Sequence, residues 1–196
     1  MGFITHRTRR SLNPPGPARG RPDSVVVKLP SADPLLQKVF SRLEQNRREV
    51  SFYLELADRV LLETPRCYYG DTDPSTGRTV LVLEDLESAQ KGDSVAGCSL
   101  DEARQCIRQL AEFQAQWWNS PLLDRLPWMP LRNAETGIYQ ELYADAWASL
   151  LQRAGDAMPA QLRLLGDRLA EEIHGIKDCL SWPPVTIVHG DRAIAF

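Results

Sequence analysis

Few side chains in this chain of 196 residues sit where chemistry would need them. Near the C-terminus, Val185-Thr-Ile-Val188 runs into His189-Gly190-Asp191, placing an imidazole and a carboxylate at the end of a strand-forming segment. Near the other end, Lys28 lies inside Ser24-Val-Val-Val-Lys-Leu-Pro30, a β-branched run with one ammonium in it. Burying an ammonium costs several kcal/mol without a partner, on the order given by transfer data. Lys28 therefore either snorkels from an edge strand or has a carboxylate facing it. Glu49, in a helical segment, is one such carboxylate, although most helical glutamates are solvated charges. Glu84-Asp85-Leu86 directly follows Arg78-Thr-Val-Leu-Val-Leu83, a pattern also found wherever a strand reaches the surface. Cys67, Cys98, Cys106 and Cys179 form no C-x-x-C pair, and with three histidines there is no zinc spacing. They fit reduced thiols filling core gaps.

The order of these segments resembles the aminoglycoside phosphotransferase and choline-kinase-like enzymes, with the ecdysteroid-kinase-like branch among them. The matching features are Val-Lys28, Glu49-Val-Ser-Phe52-Tyr53 (an E-x-x-F-Y signature), Leu81-Val-Leu-Glu-Asp-Leu86, Trp117-Trp118 and His189-Gly190-Asp191. Together they cover residues 24–191. The resemblance implies a protein-kinase-like α+β fold and transfer of the γ-phosphate of ATP to a hydroxyl on a small acceptor. It also implies roles. Lys28 would contact the ATP phosphates and Glu49 would orient Lys28. The backbone of Glu84, Asp85 and Leu86 would hold adenine. Asp191 would orient and deprotonate the acceptor hydroxyl, and His189 would brace the loop.

Four departures accompany the resemblance. The family pattern has a Mg²⁺-binding Asn five positions after the loop Asp, and here that position is Phe196. The family's second metal-binding Asp has no counterpart, so no Mg²⁺ ligand is assigned. No Gly-rich phosphate loop follows a strand, because Gly16 and Gly20 sit among prolines that lack N–H donors. Gln114 stands where the helix L-A-x-x-H-A-x-W-W carries His. The expectation is a kinase cut short at both ends and inactive or impaired as it stands. The alternatives are a non-catalytic nucleotide-binding or interaction remnant, and a helical interaction protein in which Lys28 and Asp191 have no role.

The elements that must position these groups follow from local signals. Residues 1–23, rich in Pro, Gly and Arg, read as a disordered basic arm. Residues 24–86 read as a reduced N-lobe and hinge, a small antiparallel sheet with a helix. Asp33 caps that helix and Pro34 opens it, and its apolar positions continue from Leu35 to Val60 across a polar link at residues 44–48. A hairpin over 64–83 turns at Asp71-Thr-Asp-Pro-Ser-Thr-Gly77. Residues 87–196 read as a truncated, mainly helical C-lobe ending at the catalytic loop. Its first helix opens with the capping box Ser99-Leu-Asp-Glu102 and buries Leu100, Ala103, Ile107, Leu110, Gln114 and Trp117. Two more helices span about 136–154 and 159–180, the second with a stripe of Leu162, Leu165, Leu169, Ile173 and Ile176. His174 reads as a helix-surface residue.

Bulk properties narrow the class. Apolar content of 43% and charged content of 25% are those of a globular domain. A net charge of −3 gives no case for nucleic acid as partner. Five arginines against Asp23 put the arm at +4 and leave −7 for the rest, a solvated tail rather than a nucleic-acid contact. No apolar run approaches the roughly 18 residues that span a bilayer. Pro14-Pro-Gly-Pro17 follows Arg9-Arg10 where a twin-arginine leader needs an apolar segment. The default location is cytoplasmic, with no membrane partner. A cut-short helical lobe leaves apolar helix faces uncovered, which predicts self-association.

Overall fold

The computed structural model describes residues 5–12, 22–86, 97–131, 134 and 136–189. The chain divides into two compact units, Met1–Leu122 with Thr186–Phe196, and Leu123–Val185.

The first unit is built on a four-stranded antiparallel sheet of β1 (Thr5–Ser11), β2 (Ser24–Pro30), β3 (Cys67–Thr72) and β4 (Thr79–Glu84), in the order β1-β2-β4-β3. The β-branched runs make the two central strands, where pleated, half-buried positions suit them. Lys28 is therefore on an inner strand with a neighbour on each side, and the edge-strand reading fails. The basic arm was expected to lack order, and Thr5–Ser11 correct that expectation by pairing along the whole of β2, from Thr5↔Pro30 to Ser11↔Ser24. The physical reason is tertiary. The prolines begin only at Pro14, so every residue of β1 keeps its N–H, and β2 supplies a ladder that composition does not reveal.

Helix α1 (Pro34–Arg42) starts as its sequence dictates, with the Leu36 N–H donating to Asp33 Oδ1 at 3.3 Å. It does not run on. Glu44 takes a left-handed conformation (φ 50°), Leu43 is buried, and α2 (Gln45–Glu55) starts afresh. Val50 on α2 packs with Leu81 and Leu83 of β4, with Tyr53 and Cys67 against them. Across the β3–β4 turn, Asp73 accepts from the N–H and hydroxyl of Ser75 and from the Thr76 hydroxyl, and Gly77 supplies the positive φ. Cys98 and Cys179 are exposed rather than core fillers.

Helix α3 (Leu100–Gln116) carries both halves of its capping box. The Glu102 N–H donates to Ser99 Oγ at 3.3 Å, and the Ser99 N–H donates to Glu102 Oε2 at 2.6 Å. Its buried residues are Phe113 and the following Trp117, whereas Leu100 and Ile107 of the expected stripe are exposed. Trp117 is core and Trp118 is exposed.

The second unit pairs α4 (Thr136–Ala154) with α5 (Ala160–Cys179). Contact is made through Gly166, against which the Trp147 indole lies, and through Lys177, whose ammonium sits 3.0 Å from the centroid of the Tyr139 ring. Of the expected apolar stripe of α5, Ile173 is half-buried. Leu162, Leu165, Leu169 and Ile176 are exposed. His174 lies on the surface beside Asp178, one turn on. Among the described residues no helix is long and apolar enough to cross a membrane.

Candidate active site

Lys28 and Glu49 form an ion pair, Nζ to Oε1, between the central strand and α2. Val50, next to Glu49, is clamped in the core over β4, which fixes the phase of α2 and aims Glu49 at the sheet. The Lys28 side chain is 14% exposed and that of Glu49 34%. The lysine is thus the more desolvated partner and the more dependent on the pair.

At the end of β4 the three residues expected to hold adenine are held differently from one another. Glu84 is spent on the neighbouring segment. Its N–H donates to the Arg66 carbonyl at 2.8 Å, and its Oε2 accepts the Arg66 N–H at 3.0 Å. Asp85 is only 5% exposed at its side chain, and a side-on guanidinium grips it. Arg9 Nε lies 2.6 Å from Oδ2 and Arg9 Nη2 donates to Oδ1 at 2.9 Å, while the Ser24 hydroxyl donates to Oδ2 at 2.6 Å. Leu86 is exposed. Neither Arg9 nor Ser24 was singled out in the sequence. Arg9 was counted with a solvated arm, and only the strand register could have brought it to Asp85.

The run before His189 forms no strand. Residues 185–189 carry no regular secondary structure, and the Thr186 hydroxyl donates to the Gln114 carbonyl of α3 at 2.6 Å. Ile187 is buried beside it in sequence, and His189 is exposed. Gly190 and Asp191 lie outside the described residues. Gln116 in turn bonds the Arg59 carbonyl and the Leu61 N–H, tying α3 to the segment after α2.

No group of three or more His, Cys, Asp or Glu is placed to hold a metal ion among the described residues.

The ecdysteroid kinase-like family model matches residues 8–162, most of the chain. The chain belongs to that kinase-like family. The matched span contains Lys28, Glu49, Glu84–Leu86 and α3, and it stops short of His189. Comparison with curated proteins and with solved structures returns no match.

Among the described residues of this kinase-like unit, three carboxylates are held below their ordinary range and contribute to its response to acid. Hydroxyl bonds from Ser75 and Thr76 hold Asp73 well below the usual carboxylate range. The Ser24 hydroxyl, then Arg9, lowers Asp85, and the Ser99 N–H, then its hydroxyl, lowers Glu102. Each folded pKa lies below the unfolded one, so the stabilisation is complete above the unfolded value of about 4 and is lost as pH falls through the folded values. The Tm of the sheet unit, followed by circular dichroism, is expected to hold from pH 7 to about 5 and to fall below about 4. Asp85→Asn should shallow that fall.

Proposed function

We propose that the sheet unit is the nucleotide-holding part of an ATP-dependent phosphotransferase of the aminoglycoside phosphotransferase type, acting on a hydroxyl of a small acceptor. The observation that carries this reading is the Lys28–Glu49 ion pair on an inner strand, one short segment from the end of β4. A cation held there by a helix carboxylate is pre-aimed, so phosphate binding needs little reordering of the side chain. Lys28 would take the α- and β-phosphates, Glu49 would keep it in place, and the backbone from Glu84 to Leu86 would meet the adenine edge. Because the Glu84 N–H is already bonded to Arg66, the adenine contacts fall to the remaining groups of that segment. Asp191 would take the hydroxyl proton, with His189 bracing its loop.

With Phe196 in place of a metal-binding Asn, the 196-residue chain is read as one that binds ATP and turns it over slowly or not at all. Isothermal titration of the full chain with ATP, with and without Mg²⁺, tests this. Binding of similar strength in both conditions, with no ADP formed, is the expected result. Mg²⁺-dependent ADP release that disappears in Asp191→Ala would overturn the inactive reading and leave the kinase reading standing.

One observation favours a second reading, a remnant that works by association. Leu162, Leu165, Leu169 and Ile176 of α5 are exposed apolar residues at helical spacing. Self-association through them is the corresponding proposal. A monodisperse monomer by size-exclusion chromatography at high protein concentration would count against it.

A further inference from the structure

Paired residues of antiparallel strands share a sheet face, and the register lines up Arg9 of β1, Val26 of β2 and Leu83 of β4 in one row. Lys28 lies two residues beyond Val26 on the same face of β2, whereas Ser24, which with Asp85 marks where the Arg9 guanidinium is held, is four residues from Lys28, about 13 Å by strand rise. That spacing is of the order of the distance from the base of a nucleotide to its phosphates. Helix α2 packs on β3 and β4 at this face, over Leu81 and Leu83, and reaches β2 through Glu49.

Arg9 differs from an ordinary surface arginine in how it is held. Asp85 engages its Nε and Nη2 side-on, and the Ser24 hydroxyl donates to the same Oδ2 that receives Nε. The guanidinium plane is thereby fixed, while the side chain remains 55% exposed. Its charge is matched by a carboxylate in direct contact, so its pull on a phosphate is largely cancelled. What such a clamped guanidinium still offers is a flat, weakly hydrated face, which stacks on aromatic rings. We propose that Arg9 is a specificity-determining residue of the nucleotide site, stacking its guanidinium on the purine base while Lys28 takes the phosphates. This inference rests on the nucleotide reading above. In it Asp85 is a positioning residue that acts through Arg9 and has no contact with the ligand.

The test compares two probes, ATP and inorganic tripolyphosphate, by isothermal titration on the full chain and on Arg9→Lys, Arg9→Ala and Lys28→Ala. Arg9→Lys keeps the charge and the pairing with Asp85 but removes the plane, so it protects against simple loss of β1. The expected result is ATP affinity weakened about five- to tenfold in Arg9→Lys, within the range of cation–π contacts, and tripolyphosphate affinity unchanged. Arg9→Ala should move in the same direction, and Lys28→Ala should weaken both probes. Unchanged ATP affinity in Arg9→Lys overturns the stacking role while leaving the nucleotide reading intact. An equal loss for both probes in Arg9→Lys also overturns it, since Arg9 would then act on phosphate or through the fold. If the unaltered chain binds neither probe, the nucleotide reading fails and takes this inference with it.

Discussion

Replacing Lys28 with Ala is expected to weaken ATP binding by about ten- to a hundredfold, the equivalent of one charge-assisted hydrogen bond. The same change should leave the fold nearly as stable as before. Removing Lys28 leaves Glu49 alone, but a carboxylate 34% exposed at a helix surface turns to water at small cost. Glu49→Ala should behave in the opposite sense. It strands an ammonium that is only 14% exposed on an inner strand, and a largely desolvated charge without its partner is costly. After discounting for solvent at the glutamate, that loss is about 1–2 kcal/mol. ATP affinity should fall less than in Lys28→Ala, because the cation is still present and has lost only its guide. Binding titrations and thermal unfolding on both variants and on the double variant check this. A Lys28→Ala protein that binds ATP like the unaltered chain would remove the central premise of the site.

The asymmetry between these variants could not be read from the sequence, although the pair itself could. Lys28 within a β-branched run demands a partner, and the resemblance to the phosphotransferase pattern implied that it is Glu49. Which of the two is more buried depends on how α2 is phased. That phase is set by Leu43, Val50 and the left-handed Glu44, a non-glycine break that no local pattern announces. Where the signals were local they located elements to within a residue or two. Ser99 and Glu102, Asp33 and Pro34, and the Asp73 turn each satisfy specific backbone groups within a few residues. Signals failed where the partner is distant in sequence. Thr5–Ser11 became a strand because β2 was there to pair with it, and Asp85 acquired Arg9 across 76 positions. A hinge segment expected to present only its backbone proved to have both acidic side chains engaged, one with Arg66 and one with Arg9 and Ser24. Asp191 is a different case, legible as a motif and outside the described residues.

The face of α5 that meets α4 carries the second large prediction. Leu162, Leu165, Leu169 and Ile176 are exposed, and the Trp147 indole of α4 lies against Gly166, where the missing side chain is the feature that matters. A Cβ at that position would lie 2.2 Å from Trp147 Cζ2, 2.3 Å from Cη2 and 2.6 Å from Cε2, all inside contact distance of a rigid ring. Gly166→Ala therefore has to expel the indole. That breaks the bond from Trp147 Nε1 to Asp167 at 2.7 Å and the stacking of Trp147 on Tyr143, whose hydroxyl also donates to the Gly166 carbonyl at 3.1 Å. Alanine would favour the helix by roughly 1 kcal/mol, yet overpacking should outweigh this and leave the α4–α5 unit about 3 kcal/mol less stable. If instead the variant is stabilised, the helix-propensity term has won and the indole moves freely. The double variant Gly166→Ala/Trp147→Ala separates the two, since with no ring to expel the alanine should cost little beyond Trp147→Ala alone. Every residue assigned to the nucleotide lies in the other unit, so ATP affinity in Gly166→Ala, measured below its Tm, is expected to match the unaltered chain.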